Sequence, residues 1–133
     1  MGAVRIVDKS DPRVWPLLVD GVTRQKYRAL GHPWWIFDKI RENPRIFLVG
    51  VEENGFLKGI FVVEPQGKEE AMLMFVVSVG GVLARYKEEV RKLLKKLGIV
   101  KVYTLVWGDG GRSRAAEKLY GGKVAASLLE IPI

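Results

Sequence analysis

Apolar and polar positions along this chain fall into blocks with different periods, and each period names an element. Residues 4–7 alternate weakly and predict a first strand. Ser10 or Asp11 followed by Pro12 forms a helix start, and the regular helix runs over residues 16–29 with Leu17, Leu18, Val22 and Tyr27 on its apolar side. Gly31-His32-Pro33 breaks it, and residues 34–41 predict a short second helix that stops before Asn43-Pro44. Residues 45–52 and 56–63 read as paired strands about the hairpin turn Asn54-Gly55. After the turn Pro65-Gln66-Gly67, residues 71–78 form a third consecutive strand, the fourth of the chain. It is apolar on both faces and therefore central and buried.

The clearest helical period follows Gly80-Gly81. Val82, Leu83, Tyr86, Val90, Leu93, Leu94 and Leu97 share one face of a helix over residues 82–97. Arg85, Lys87, Arg91, Lys92, Lys95 and Lys96 spread over the other. Then come Gly98, a strand over 99–107, a helix over 112–120, Gly121-Gly122 and a last strand over 123–131. The order is β-α-α-β-β-β-α-β-α-β. An antiparallel meander that runs into a βαβ unit makes an α/β chain: one domain over residues 1–133, with a mixed sheet and helices on its faces. It differs from a Rossmann fold, whose helices and strands alternate from the start.

Composition narrows the chemistry. With 48% apolar and 28% charged residues, the chain is ordinary for a soluble globular protein. It has no cysteine, which excludes disulfides and thiolate metal sites, and His32 is its single histidine, which leaves no histidine zinc site. No metal is expected. The longest apolar stretch, residues 71–84, contains two glycines and falls short of the ~20 residues of a membrane span. Residues 4–8 are too short and too charged for a secretory signal. The expectation is a soluble protein of the cytoplasm with no membrane partner.

The net charge of +7 attracts polyanions: nucleic acid, nucleotide cofactors or acidic proteins. A merely basic surface is the plainer account. No base-reading motif accompanies the basic face of the 82–97 helix, and Glu88 and Glu89 interrupt it, so nucleic acid is expected to bind only nonspecifically. The glycines say more. A strand that feeds a helix through Gly80-Gly81 turns backbone N–H groups toward a phosphate. Arg112 and Arg114 begin a helix where they oppose its dipole, which points to an anionic partner unless Asp109 answers them.

The element order resembles the GNAT superfamily of N-acetyltransferases over nearly the whole chain. "NGFLKGIFVVEP" is similar to the family's second turn and third strand, "EAMLMFVVSVGG" to its fourth strand, "GIVKVYTLVW" to its fifth, and "GGRSRAAEKLYGGKVAASLLEI" to its last helix and strand. The resemblance implies acetyl-CoA as cofactor and acetyl transfer to an amine, either a small molecule or a protein N-terminus or lysine. The family's pyrophosphate loop reads Arg or Gln, two residues, Gly, one residue, Gly or Ala. Ser78, Gly81 and Leu83 fall on its three fixed positions, so one of three is kept and the loop reads as degenerate.

By the same resemblance Phe75, Val76 and Val77 offer backbone N–H to the thioester oxygen, and Ser78, Gly80, Gly81 and Val82 surround the pyrophosphate. Glu64, Glu69 or Glu70 would remove the amine proton, and Tyr120 would protonate the leaving thiolate. Trp34 and Trp35, with Trp15, His32 and Phe37, would line an acceptor cleft or an interaction patch. Each has a structural alternative: a polar turn for the glutamates, core packing for the aromatics. The second functional reading is a GNAT-fold protein that has lost catalysis and serves as a binding or assembly module, with protein partners or copies of itself. Phage proteins, virion components among them, include small chains of this kind.

Overall fold

The computed structural model describes residues 2–25 and 31–104. Five strands form one sheet in the order β1-β2-β3-β4-β5: β1 (Gly2–Val7), β2 (Phe47–Glu53), β3 (Phe56–Pro65), β4 (Glu70–Ser78) and β5 (Lys101–Thr104). The first three pairings are antiparallel, and β4 with β5 is parallel. The helices are α1 (Val14–Arg24), α2 (Trp35–Glu42), α3 (Val82–Arg85) and α4 (Lys87–Lys96). Through β5 this is the expected mixed α/β architecture. The expected helix over 112–120 and strand over 123–131, and with them Asp109 and Tyr120, lie outside the described residues.

Two apolar layers hold the sheet. On one face Val14, Leu18 and Val22 of α1 and Ile36 and Ile40 of α2 are fully buried against Leu48, Ile60 and Val62. On the other, Val82, Leu83, Val90 and Leu94 cover Val49, Val51, Phe61 and Leu73. Alternate residues of β3 therefore serve opposite layers, as a pleated strand with both faces covered requires.

The expected elements shift in three places. First, α1 begins at Val14 with no side-chain cap. The Asp11 carboxylate instead accepts from the Arg13 backbone N–H at 2.9 Å and from its guanidinium at 2.8 Å, while Ser10 bonds Asp8. Both polar side chains satisfy a turn and not the helix. Second, the helix after Gly81 is kinked: Tyr86 leaves helical geometry at φ −110°, ψ 17°, and divides α3 from α4. Its hydroxyl bonds Glu53, and a Cβ on Gly2 would lie 2.0 Å from its oxygen. Apolar periodicity runs through the kink unbroken because Val82, Leu83, Val90 and Leu94 all still face the sheet.

Third, β4 carries a bulge. Val62 opposes Phe75 and Val63 opposes Leu73, so Met74 is the extra residue. Ala71 and Leu73 pack under α4, whereas Met74, Phe75 and Val77 pack under α1 and α2. The bulge exchanges the faces of the strand at its middle.

Candidate functional site

Among the described residues the β5 ladder runs from Glu70 opposite Lys101 to Leu73 opposite Thr104. From Met74 to Ser78 no described strand pairs with that edge. Val79 N–H bonds the Lys58 carbonyl at 2.8 Å, and an antiparallel strand sends the backbone groups of alternate residues to the same side. Val76 and Ser78 thus turn their backbone groups away from β3. The structure agrees. The Val76 carbonyl accepts from Gln25 Nε2 at 3.2 Å, and the Ser78 carbonyl from Arg24 Nη2 at 3.5 Å.

Beyond Ser78 the chain turns through two left-handed glycines, Gly80 at φ 64° and Gly81 at φ 67°. A Cβ on Gly80 would meet nothing within 4 Å, and one on Gly81 only Arg85 Nη1 at 3.8 Å. The loop is an open cradle with a guanidinium on its rim. Arg85 Nη1 donates to the Gly80 carbonyl at 2.7 Å, while its Nη2 and Nε donate to Glu53 at 2.8 and 3.2 Å. Arg24 reaches the same loop from the opposite face of the sheet and pairs with Asp20 at 2.9 Å. Val82 and Leu83 point inward, 0% and 5% exposed. Leu83 therefore leaves the cradle clear, and the loop, short of a charged residue of its own, is flanked by two arginines from elsewhere.

Glu53 gathers Arg85, Lys58 and Tyr86, and these partners, Arg85 foremost, hold its carboxyl at about 2. A lowered carboxyl favours the folded state fully above its unfolded value near 4.5, and that contribution is lost as pH falls through about 2. Arg85→Ala should move the Glu53 midpoint up from about 2, with Lys58 keeping it below 4.5. A carboxyl-carbon NMR titration reads this directly, and an unmoved midpoint would mean that Arg85 does not hold Glu53 in solution.

The aromatic candidates come close to the same edge by another route. His32 Nδ1 lies 3.0 Å from the Val22 carbonyl and 2.5 Å from that of Gln25, so the segment after Gly31 folds back on the end of α1. Trp34 packs against His32 and Phe37, with ring centroids 6.2 and 5.7 Å away, and Phe37 meets Trp15 edge-on at 5.7 Å. Trp34 and Trp35 are 48% and 39% exposed. Both stand at the surface, so the core-packing alternative does not hold for either, because Pro33 and Ile36 take the buried positions on either side of them.

The glutamates lie elsewhere. Glu64 ends β3 opposite Met72 and is held by the Asn43 amide at 2.7 Å and by Gln66. Glu69 lies in the turn before β4 and Glu70 begins the strand, and their carbonyls serve the start of β5 and the turn. At about 3.3 Å per residue, Glu70 stands roughly 20 Å along the strand from Val76 and Glu64 roughly 13 Å. The structure thus brings together Val76, Ser78, Gly80 and Gly81, adds Gln25, Arg24 and Arg85, and leaves the glutamates apart. Gln25 and Arg24 carried no signal in the sequence, being two polar residues inside the expected 16–29 helix, which in the structure ends at Arg24. Arg85 looked like one more charge on a solvated face. Among the described residues no His, Cys, Asp or Glu cluster could hold a metal ion, and no helix is long and apolar enough to cross a membrane.

No protein-family model matches the chain, and no curated protein matches it. Solved structures do. A ribosomal-protein-alanine N-acetyltransferase from Brucella melitensis aligns over 100% of both chains at TM-score 0.67 and 11% identity. A GNAT family acetyltransferase from Elizabethkingia anophelis with acetyl-CoA bound aligns over 90% of this chain and 72% of its own, at TM-score 0.61 and 16% identity. An aminoglycoside N-acetyltransferase in complex with CoA aligns over 98% of both chains at TM-score 0.60 and 10% identity. This chain has the GNAT fold. None of these neighbours speaks for a virion component.

Proposed function

We propose that this protein is an N-acyltransferase that takes an acetyl group from acetyl-CoA to a primary amine, either a small molecule or a protein N-terminus or lysine. The observation that carries the reading is the open Gly80-Gly81 cradle at the end of β4, between Arg24 and Arg85. The fold neighbours that hold acetyl-CoA or CoA support it. Acetyl-CoA supplies an activated thioester. The Val76 N–H, on the same edge as its carbonyl, is placed to polarise the thioester oxygen, because a fixed dipole aimed at developing charge needs no reorganisation. Phe75 and Val77, buried under α1, fix the strand that carries it. The N–H groups of the Gly80–Val82 turn, with Arg85 and Arg24, would hold the pyrophosphate through charge-assisted bonds. Tyr120 is the proposed donor to the leaving thiolate. Trp34 and Trp35 border the proposed acceptor side.

Calorimetric titration of acetyl-CoA and CoA tests this. It belongs near 0.15 M salt, where the screening length is about 8 Å and diffuse attraction to a basic protein is weak. Saturable one-to-one binding is expected, followed by thiol release once an amine is added. Absence of saturable binding would end the acyltransferase reading. Arg85→Glu should weaken acetyl-CoA binding roughly tenfold or more, since it reverses a charge beside the phosphates. An Arg85→Glu protein that binds as tightly as the parent would remove Arg85 from the site.

A further inference from the structure

The acyltransferase reading needs a group that takes a proton from the incoming amine, and the described carboxylates do not supply it. Glu64 and Glu70 stand far down the sheet, and Asp20, on α1, is paired with Arg24. We infer that His32 is the proton acceptor. This rests on the function proposed above and goes beyond it.

Two observations carry the inference. The first concerns which ring nitrogen is available. His32 Nδ1 faces two carbonyl oxygens, those of Val22 and Gln25, at 3.0 and 2.5 Å. A carbonyl only accepts, so Nδ1 must carry the proton, and the neutral ring keeps its lone pair on Nε2. The bonds also fix the plane of the ring, as the orienting partner of a catalytic base does. Among the described residues no carboxylate pairs with the ring and no cation contacts it. Among the described residues the two carbonyls and the Trp34 ring stand beside it.

The second observation is position. Gln25, whose carbonyl holds the ring, spends its side chain on the Val76 carbonyl at 3.2 Å. One residue therefore joins the imidazole to the point on β4 where the thioester would be polarised. The exposed Trp34 stands beside the ring.

The reaction balances with this role. The ammonium form of the acceptor gives one proton to Nε2, directly or through a water. The freed nitrogen lone pair forms the N–C bond, the C–S bond breaks, and its electron pair leaves on sulfur. The second amine proton and the imidazolium proton pass to the thiolate and to solvent.

His32 is the only histidine of the chain, so its ring signals need no assignment by mutation. Long-range nitrogen–proton NMR of the wild-type protein at neutral pH should show the Nδ1–H tautomer, with Nε2 unprotonated. Free imidazole side chains favour the opposite form, so an Nε2–H tautomer here would overturn the inference. The second measurement pairs His32→Gln with wild type, using acetyl-CoA and a short alanine-initiated peptide or an aminoglycoside as acceptor. Thiol release by His32→Gln should fall ~100-fold or more, the magnitude of a general base. Its affinity for acetyl-CoA should stay within about twofold. A fall below tenfold would remove His32 as the base while leaving acyl transfer intact. Failure of the wild-type protein to bind acetyl-CoA would instead end the acyltransferase reading and this inference with it.

Discussion

Gly81→Val is expected to abolish acetyl-CoA binding at working concentrations while leaving a folded protein. Gly81 sits at φ 67°, ψ 21°, the left-handed turn that hands β4 to α3. A side chain there costs about 1–2 kcal/mol of stability, more when branched at Cβ, because that Cβ crowds the following carbonyl. The larger effect is local. The new methyl groups would fill the cradle and reach Arg85, whose Nη1 lies 3.8 Å from the site of the added Cβ. A phosphate turned away loses two or more charge-assisted hydrogen bonds at about 1.5–3 kcal/mol each. A loss of ~3 kcal/mol alone raises Kd more than 100-fold. Gly81→Asn separates the two effects, since asparagine tolerates the left-handed conformation. It should melt close to the parent and still lose affinity. A folded Gly81→Val protein with an unchanged Kd would show that ligand does not use this loop.

The second large effect lies on α1, away from the loop. Gly21→Val should destabilise the fold by about 2–3 kcal/mol, the upper range for an overpacked core. Gly21 is where α1 touches β4: an added Cβ would lie 2.6 Å from Val77 Cγ2, 2.9 Å from Val77 Cβ and 3.4 Å from Phe75. Helix propensity pulls the other way, by about 1 kcal/mol for glycine to alanine, and contact decides because neither neighbour has free space. Even Gly21→Ala should therefore lower the melting temperature, where an exposed helical glycine would raise it. Displacing α1 also lifts Arg24 and Gln25 from Ser78 and Val76. Thiol release should accordingly drop by more than the loss of folded protein explains. Combining Gly21→Val with Val77→Ala restores room, and the pair should be less damaging than the sum of the two changes. A Gly21→Ala protein more stable than its parent would refute the close packing of α1 on β4.

The elements of this fold were legible because each uses a pattern that local chemistry enforces. Asn54-Gly55 closes the β2–β3 hairpin with Asn54 at φ 55° and Gly55 at φ 82°, as such a turn demands. The unbroken apolar run of β4 placed it between two layers, and it lies there. The bulge at Met74 was illegible for the same reason. When every position is apolar, moving the pattern by one residue changes nothing in the text of the sequence. The kink at Tyr86 was hidden because both halves of the helix keep their apolar side on the sheet.

The site divides along the same line. The sequence by itself determined the strand–glycine–helix passage at Gly80-Gly81, since two left-handed residues in succession call for glycine. It also marked Trp34 and Trp35 as unusual, because two adjacent tryptophans cannot both turn squarely inward on a helix. Only the tertiary structure decided what surrounds that passage. Arg24 and Gln25 stand more than fifty positions before the β4 residues they touch. Arg85 is held at the Gly80 carbonyl by Glu53, on a strand two removed from β4. Hydrogen bonds between residues so far apart leave no period in the chain. They are set by which helix end the packed core delivers to which strand edge, and close packing at Gly21 and Gly59 fixes that delivery.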